Sequence, residues 1–347
     1  MNGLVTPLGA YLTQPLRAGL KAGILPLLAL LLLSARPSWG VTPVLQGAGM
    51  GRAVVPLPLK SAAAEGRIAM ESQTITADLY PGLALIRWKI VLSNRGGKNI
   101  QISLALPKSG SFTHDEISII KLDSLFDLKI SWKGREQMVK TITADLRSSD
   151  GYLSLPESYR DSVSQWYGWA VDIPPGSRDT LRLSYAVRTG PAQLARGGNV
   201  RRSFFLGFLL EQARAWEGQM QDTELQIDLK GRLLSSQVFG IYPREVFEYD
   251  DQGRLYFQIS GRNPIRHDDV LMGYDSKDGF DYFADYLQNK DKYDRPINRI
   301  QPDSLKTSKM PSGRFDVYPF KEYAILGTLA ACLGLAALLV IYLIRRR

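Results

Sequence analysis

From Ile68 onward the apolar residues of this chain recur with a period of two, and that period limits the fold to strands with one face on a core. Ala84, Ile86, Trp88, Ile90 and Leu92 alternate with Leu85, Arg87, Lys89, Val91 and Ser93. Asn94-Arg95-Gly96-Gly97 follows as a turn, and Ile100, Ile102, Leu104 and Leu106 alternate again until Pro107. The pair reads as a β-hairpin. The same pattern returns at Leu128-Ile130-Trp132, at Leu181-Leu183-Tyr185-Val187 after Pro174-Pro175-Gly176, at Leu225-Ile227-Leu229, and at Leu255-Phe257-Ile259 after Asp250-Asp251-Gln252-Gly253. Short strands, frequent turns and no long helical crossovers predict an all-β fold, an antiparallel β-sandwich over residues 67–290. It is one large module or two packed ones, with the Gly/Arg-rich stretch 190–199 as the candidate joint.

Two segments break the period. Leu153 to Val163 reads as a short helix, with Ser154 as its N-cap and Pro156 in its first turn. Ser276 to Lys290 reads as a longer one, with Phe280, Phe283, Tyr286 and Leu287 on one face and Asp278 near its N-terminus. Residues 41–66, rich in Gly, Ala and Pro, read as a loose leader. Residues 291–321, charged and with four Pro, read as a stalk.

Both ends carry apolar runs. Arg17 and Lys21 precede the uncharged stretch Ala22 to Ser34, and Ser38-Trp39-Gly40 places small residues at −3 and −1 of a cut between Gly40 and Val41. Residues 1–40 therefore read as a cleaved export signal. Ala324 to Ile344 is an uncharged run of 21 residues closed by Arg345-Arg346-Arg347, long enough to span a bilayer as a C-terminal transmembrane helix. The arginines, residues 345–347, mark the cytoplasmic side. The expected topology is single-pass type I in the cell membrane, N-terminus outside and C-terminus in the cytoplasm. Gly327, Ala330, Ala331, Gly334 and Ala337 lie at roughly helical spacing in the run, a stripe that permits close helix contact.

Charge and cysteine content exclude several function classes. The formal charge is +9, but the two ends carry more than half of it, and residues 41–321 hold only +4. That balance makes no case for nucleic acid. The single Cys, Cys332, lies in the apolar run, so the exported region has no disulfide and no thiol nucleophile. With two His in the whole chain, most zinc chemistry is excluded by count. The chain contains no G-x-S-x-G, no phosphate-binding G-x-x-x-x-G-K-[ST], no H-E-x-x-H and no C-x-x-C. No catalytic residue, cofactor or metal site is assigned.

Weaker candidates remain. His114-Asp115-Glu116 and His267-Asp268-Asp269 share a His-acid-acid pattern that could meet at a divalent metal if the fold joined them. Asp268, Asp269, Asp275, Asp278, Asp281 and Asp285 are rich in carboxylate oxygen, but Lys277 interrupts the spacing that calcium needs. A glycosidase carboxylate pair is not set by spacing in sequence, and nothing favours one. Trp166-Tyr167-Gly168-Trp169 is the densest aromatic cluster, and Trp166 and Trp169, if exposed, could stack on sugar or on a partner protein. Arg196, Arg201 and Arg202 flank Gly197-Gly198 as a candidate anion contact.

Three stretches carry a resemblance. Ile86 to Pro107, Trp169 to Tyr185, and Phe208 to Leu229 with Trp216-x-Gly218 together resemble an uncharacterised family of bacterial exported β-sandwich proteins with a signal peptide and often a C-terminal anchor. The resemblance covers about a fifth of the chain. It implies fold and location and brings no activity with it. The expected role is an interaction or scaffold module, or one subunit of an envelope complex with a protein partner; the alternatives are a carbohydrate-binding module and an envelope hydrolase.

Overall fold

The computed structural model describes residues 44–309 apart from several breaks, of which 58–66, 144–164, 211–215 and 294–304 are the longest, together with helical residues between 327 and 344. Residues 42–318 form one compact unit; residues 1–41 and 319–347 form another. Among the described residues of the second unit, stretches from Gly327 to Ile344 are helical. No helix among the described residues is long and apolar enough to cross a membrane. Gly40, Val41, Ala324, His114 and the expected helix at 153–163 lie outside the described residues.

The first unit is all-β, with strands numbered here in chain order. A large sheet has the order β20 (Lys306–Lys309), β17 (Val246–Tyr249), β18 (Arg254–Ser260), β15 (Asp222–Asp228), β3 (Ile68–Tyr80), β4 (Leu83–Asn94), β12 (Arg178–Arg188), β8 (Leu125–Trp132) and β9 (Arg135–Glu136). A small sheet has the order β10 (Lys140–Thr143), β11 (Gln165–Ile173), β5 (Ile100–Ser109) and β2 (Val55–Leu57). A third sheet runs β16 (Val238–Tyr242), β19 (Val270–Tyr274), β14 (Asn199–Phe208), β13 (Ala192–Arg196), β1 (Val44–Gly51), β7 (Ile119–Leu122) and β6 (Ser111–Phe112). Most pairings are antiparallel, but β15 lies parallel to β3, and β1 lies parallel to both β7 and β14.

The alternation in β4 acts as its period predicts. Ala84, Ile86, Trp88, Ile90 and Leu92 all point into one core, where they meet Ile102, Leu104, Leu106, Trp169 and Val171 of the small sheet. The large and small sheets thus share a sandwich core, and each fully buried aliphatic or aromatic side chain contributes roughly 1.5–3 kcal/mol. A second core, around Leu45, Met50, Phe205 and Trp166, joins the third sheet to the opposite face of the small sheet.

Five expectations change. The 86–107 stretch is two strands but no hairpin: β4 pairs with β3 and β12, whereas β5 pairs with β11 and β2. The chain crosses between sheets at Asn94, which is 1% exposed. Its side-chain amide donates to the carbonyls of Lys98 and Ile173, at 2.8 Å each, and its Oδ1 accepts from the Gly96 amide at 2.8 Å. An arch of this kind satisfies buried polar groups that a surface turn would leave to water.

The leader is also corrected. Gln46 to Gly51 belong to β1, an inner strand of the third sheet, and Val55–Leu57 edge the small one. The proposed joint at 190–199 instead holds β13 and the start of β14, which pair as a hairpin inside the compact unit. The expected stalk contributes β20, which pairs with β17.

The helix at 276–290 is shorter than expected. The α-helix, α1, covers Tyr282–Gln288, and Asp281 caps it by accepting from the Ala284 amide at 3.0 Å. Its buried face is Tyr282, Phe283 and Tyr286, while Phe280 and Leu287 are exposed. That face and Tyr293 cover Leu83, Leu85 and Ala186 on the outer side of the large sheet.

Candidate functional site

The outer side of the large sheet beyond α1 is open, polar and concave. Cross-strand register aligns its side chains into rows. One row reads Glu224 on β15, Thr74 on β3, Lys89 on β4, Arg182 on β12, Ser131 on β8 and Glu136 on β9. The next, two residues along, reads Gln226, Thr76, Arg87, Ser184 and Lys129. The rows line a trough of about 740 Å³. It arises because the inward partners of these residues, Ile75, Trp88, Ile130, Leu183 and Leu225, are pulled into the core, which leaves every second side chain outside.

The centre of the trough is cationic. Lys89 sits directly opposite Arg182, and Lys129 is diagonal to Arg182 on the neighbouring strand. All three are exposed, and among the described residues none has a hydrogen bond or salt bridge, while Lys129 lies close enough to Asp127 to help lower that carboxyl's pKa. Like charges placed directly opposite on a sheet repel. Arg87 differs: it donates to Asp78 at 3.1 Å. The Asp78 carboxylate is fully buried beside the trough floor and faces Lys230 at 3.3 Å. Burial pushes its pKa up, against the opposing pull of Lys230 and Arg87. Glu224 at one margin is buried and accepts from Gln226 at 2.9 Å, while Glu136 at the other is exposed.

A second recess of about 240 Å³ continues the trough beneath α1, lined by Arg87, Lys129, Ser184, Asp127, Tyr286 and Lys290. Lys290 bonds Asp127 at 2.5 Å and holds that carboxyl below the usual range. The two recesses together offer cations, hydroxyls and amides. No exposed aromatic ring and no histidine line the larger one.

The aromatic candidates are corrected. Trp166 is fully buried and Trp169 is 5% exposed. They lie three apart on β11, so they point to opposite faces of the small sheet, Trp169 into the sandwich core and Trp166 into the second core. Neither presents a surface for stacking.

The acidic residues are engaged within the fold. Asp268 accepts from both terminal nitrogens of Arg262, at 2.5 and 2.7 Å, and Asp269 accepts from the Leu210 amide at 2.6 Å. Asp275 is bonded by Arg201 and Ser203, and Asp278 by the Tyr282 hydroxyl. Asp285 binds Lys292, Tyr293 and Asn289, which pull its pKa down to about 2. His267 shares a hydrogen bond with the Tyr242 hydroxyl at 2.8 Å. Among the described residues no group of three or more His, Cys, Asp or Glu is arranged to hold a metal ion. Arg201 also stacks on Phe239, at 3.8 Å from the ring centroid.

The trough itself was visible in the sequence only as outward-facing positions of separate strands. Which cations become neighbours is set by the pairing of β4 with β12 and of β12 with β8. Those strands are far apart along the chain.

No protein-family model matches this sequence, and no curated protein matches it either. Among solved structures the chain is similar to a provisionally named nutrient-binding protein from Legionella pneumophila, at 13% identity and a TM-score of 0.46, over 73% of this chain and 76% of that one. It is also similar to an M1 zinc metallopeptidase from Deinococcus radiodurans (11% identity, TM-score 0.28, 60% of this chain and 42% of that one). A yeast LTA4 hydrolase in complex with bestatin gives 9% identity and a TM-score of 0.32, over 60% of this chain and 29% of that one. At these scores the likenesses carry no activity to this chain.

Proposed function

We propose that this protein is an exported β-sandwich module, anchored by residues 324–344, that serves an envelope complex as a binding subunit through the concave face of its large sheet. The observation that carries the reading is the central group of Lys89, Arg182 and Lys129, exposed and without ion-pair partners among the described residues. A fold that sets Lys89 opposite Arg182 in a concavity, with no ion pair to either, holds an electrostatic field that an external ligand can satisfy. Export and anchoring are supported by the sequence, through the apolar run after Arg17 and Lys21 and the run closed by three arginines. A binding role is favoured over hydrolysis because cations fill the centre of the trough and its two marginal acids, Glu224 and Glu136, stand five strand spacings apart, about 24 Å. A concerted acid–base pair needs carboxyls free to exchange protons with substrate.

The test is chemical cross-linking and affinity capture of the tagged full-length protein from its native membrane, read by mass spectrometry. A reproducible envelope partner whose cross-links map to the concave face of the large sheet, and which is still captured when residues 324–344 are replaced by poly-Leu, supports the reading. Recovery of background alone overturns it.

A further inference from the structure

Resting on the reading of the concave face as the working surface, we infer that this face receives an acidic segment of a partner protein, with carboxylates seated over Lys89, Arg182 and Lys129. The row across the sheet runs acid, hydroxyl, cation, cation, hydroxyl, acid, from Glu224 through Thr74, Lys89, Arg182 and Ser131 to Glu136. Five strand spacings give it a width of about 24 Å, the length of roughly seven extended residues. The cations occupy the middle and the acids the margins, so the pattern complements a chain that is acidic at its centre and neutral or basic at its ends.

Three features separate a protein segment from other anions. Sugar recognition uses aromatic faces, and the aromatic residue that lines the trough, Trp88, is turned into the core. A bilayer surface is flat on this scale, and the cations lie on the floor of a trough of about 740 Å³ rather than on a convex edge. Thr74, Thr76, Ser131, Ser184 and Gln226 supply both donors and acceptors, which suit the amides of a peptide backbone.

The geometry also fixes how binding and stability trade. Lys89 facing Arg182 costs stability in the free protein, and a bound carboxylate removes that cost. A residue retained only for folding would show the opposite behaviour when neutralised.

The experiment is fluorescence anisotropy of the purified full-length protein with a labelled seven-residue peptide carrying three central Glu. A Gln-substituted peptide, a Lys-substituted peptide and a sulfated oligosaccharide are run beside it. The expected result is binding of the Glu peptide alone, weakening as salt rises, and about tenfold weaker in the Lys89→Gln/Arg182→Gln variant. The thermal midpoint of that variant is expected to equal or exceed the parent's, which separates lost binding from lost folding. Equal binding of the Gln peptide, unchanged affinity in the variant, or binding of the oligosaccharide alone overturns the inference. Capture of an envelope partner equally well by parent and variant would leave the binding-subunit reading standing and remove the acidic segment. Peptide binding without any captured partner would do the reverse.

Discussion

Single side chains hold this fold at points where a charge has left water. Arg254 and Asp250 are both buried, and the Arg254 Nε and Nη2 lie 2.7 and 2.6 Å from Asp250 Oδ2. The other carboxylate oxygen accepts from the amides of Gln252 and Arg254, which closes the turn between β17 and β18. Arg254→Met leaves that carboxylate buried without its cation and is expected to cost about 3–5 kcal/mol, read as a lower denaturation midpoint in urea. Asp285 supplies a pH test at the same scale. Its pKa, lowered to about 2 by Lys292, Tyr293 and Asn289, means that the folded state favours the ionised form. The stabilisation is complete above the ordinary carboxylate pKa, near 4, and is lost as pH falls through about 2. Near-UV circular dichroism of the tyrosines around α1 is expected to fade over that window, and Asp285→Asn to remove this step from the profile. Trp166 and Trp169 stand three apart on β11. Three apart on a strand means opposite faces, so the sequence already excluded a coplanar pair once the segment was read as β.

Elements form where the period of two predicts them, and what they pair with is another matter. β4, β5, β8, β12, β15 and β18 all fall on stretches whose alternation is plain in the chain. Yet β4 and β5, adjacent and joined by a turn-like Asn-Arg-Gly-Gly, go to different sheets. Hairpin and arch use the same apolar pattern, because both put the alternating residues against one core. The decision falls to Asn94, whose amide bridges the Lys98 and Ile173 carbonyls across the gap. β1 was harder to read still. Val-Leu-Gln-Gly-Ala-Gly-Met-Gly has too many glycines for strand propensity, yet Gly49 and Gly51 meet neighbouring strands at close range: a Cβ on Gly51 would lie 2.4 Å from the Phe208 ring. Pairing with β13, β14 and β7 makes β1 an inner strand. A chain lacking residues 44–57 is therefore expected to lose the cooperative thermal transition of the whole unit in differential scanning calorimetry, where a dispensable leader would leave the midpoint unchanged.

At the scale of the whole molecule, the β unit is held by the packing of its buried apolar side chains. The only Cys is Cys332, outside the β unit. The thermal midpoint is expected to be the same with and without dithiothreitol; a shift of more than a degree or two would point to a covalent link. Composition and period alone determined the all-β class, the absence of disulfides, the apolar runs at both ends and the inward face of nearly every long strand. Those are local properties, since side-chain direction along a strand follows from backbone geometry and needs no partner. Only the tertiary structure decided which strands pair, that the 44–57 segment is core, and that Lys89, Arg182 and Lys129 converge on one floor. Register between strands tens of residues apart is set by the packing of every inward side chain at once, so the chemistry of the outward face is a consequence of the core and cannot be read from either strand by itself.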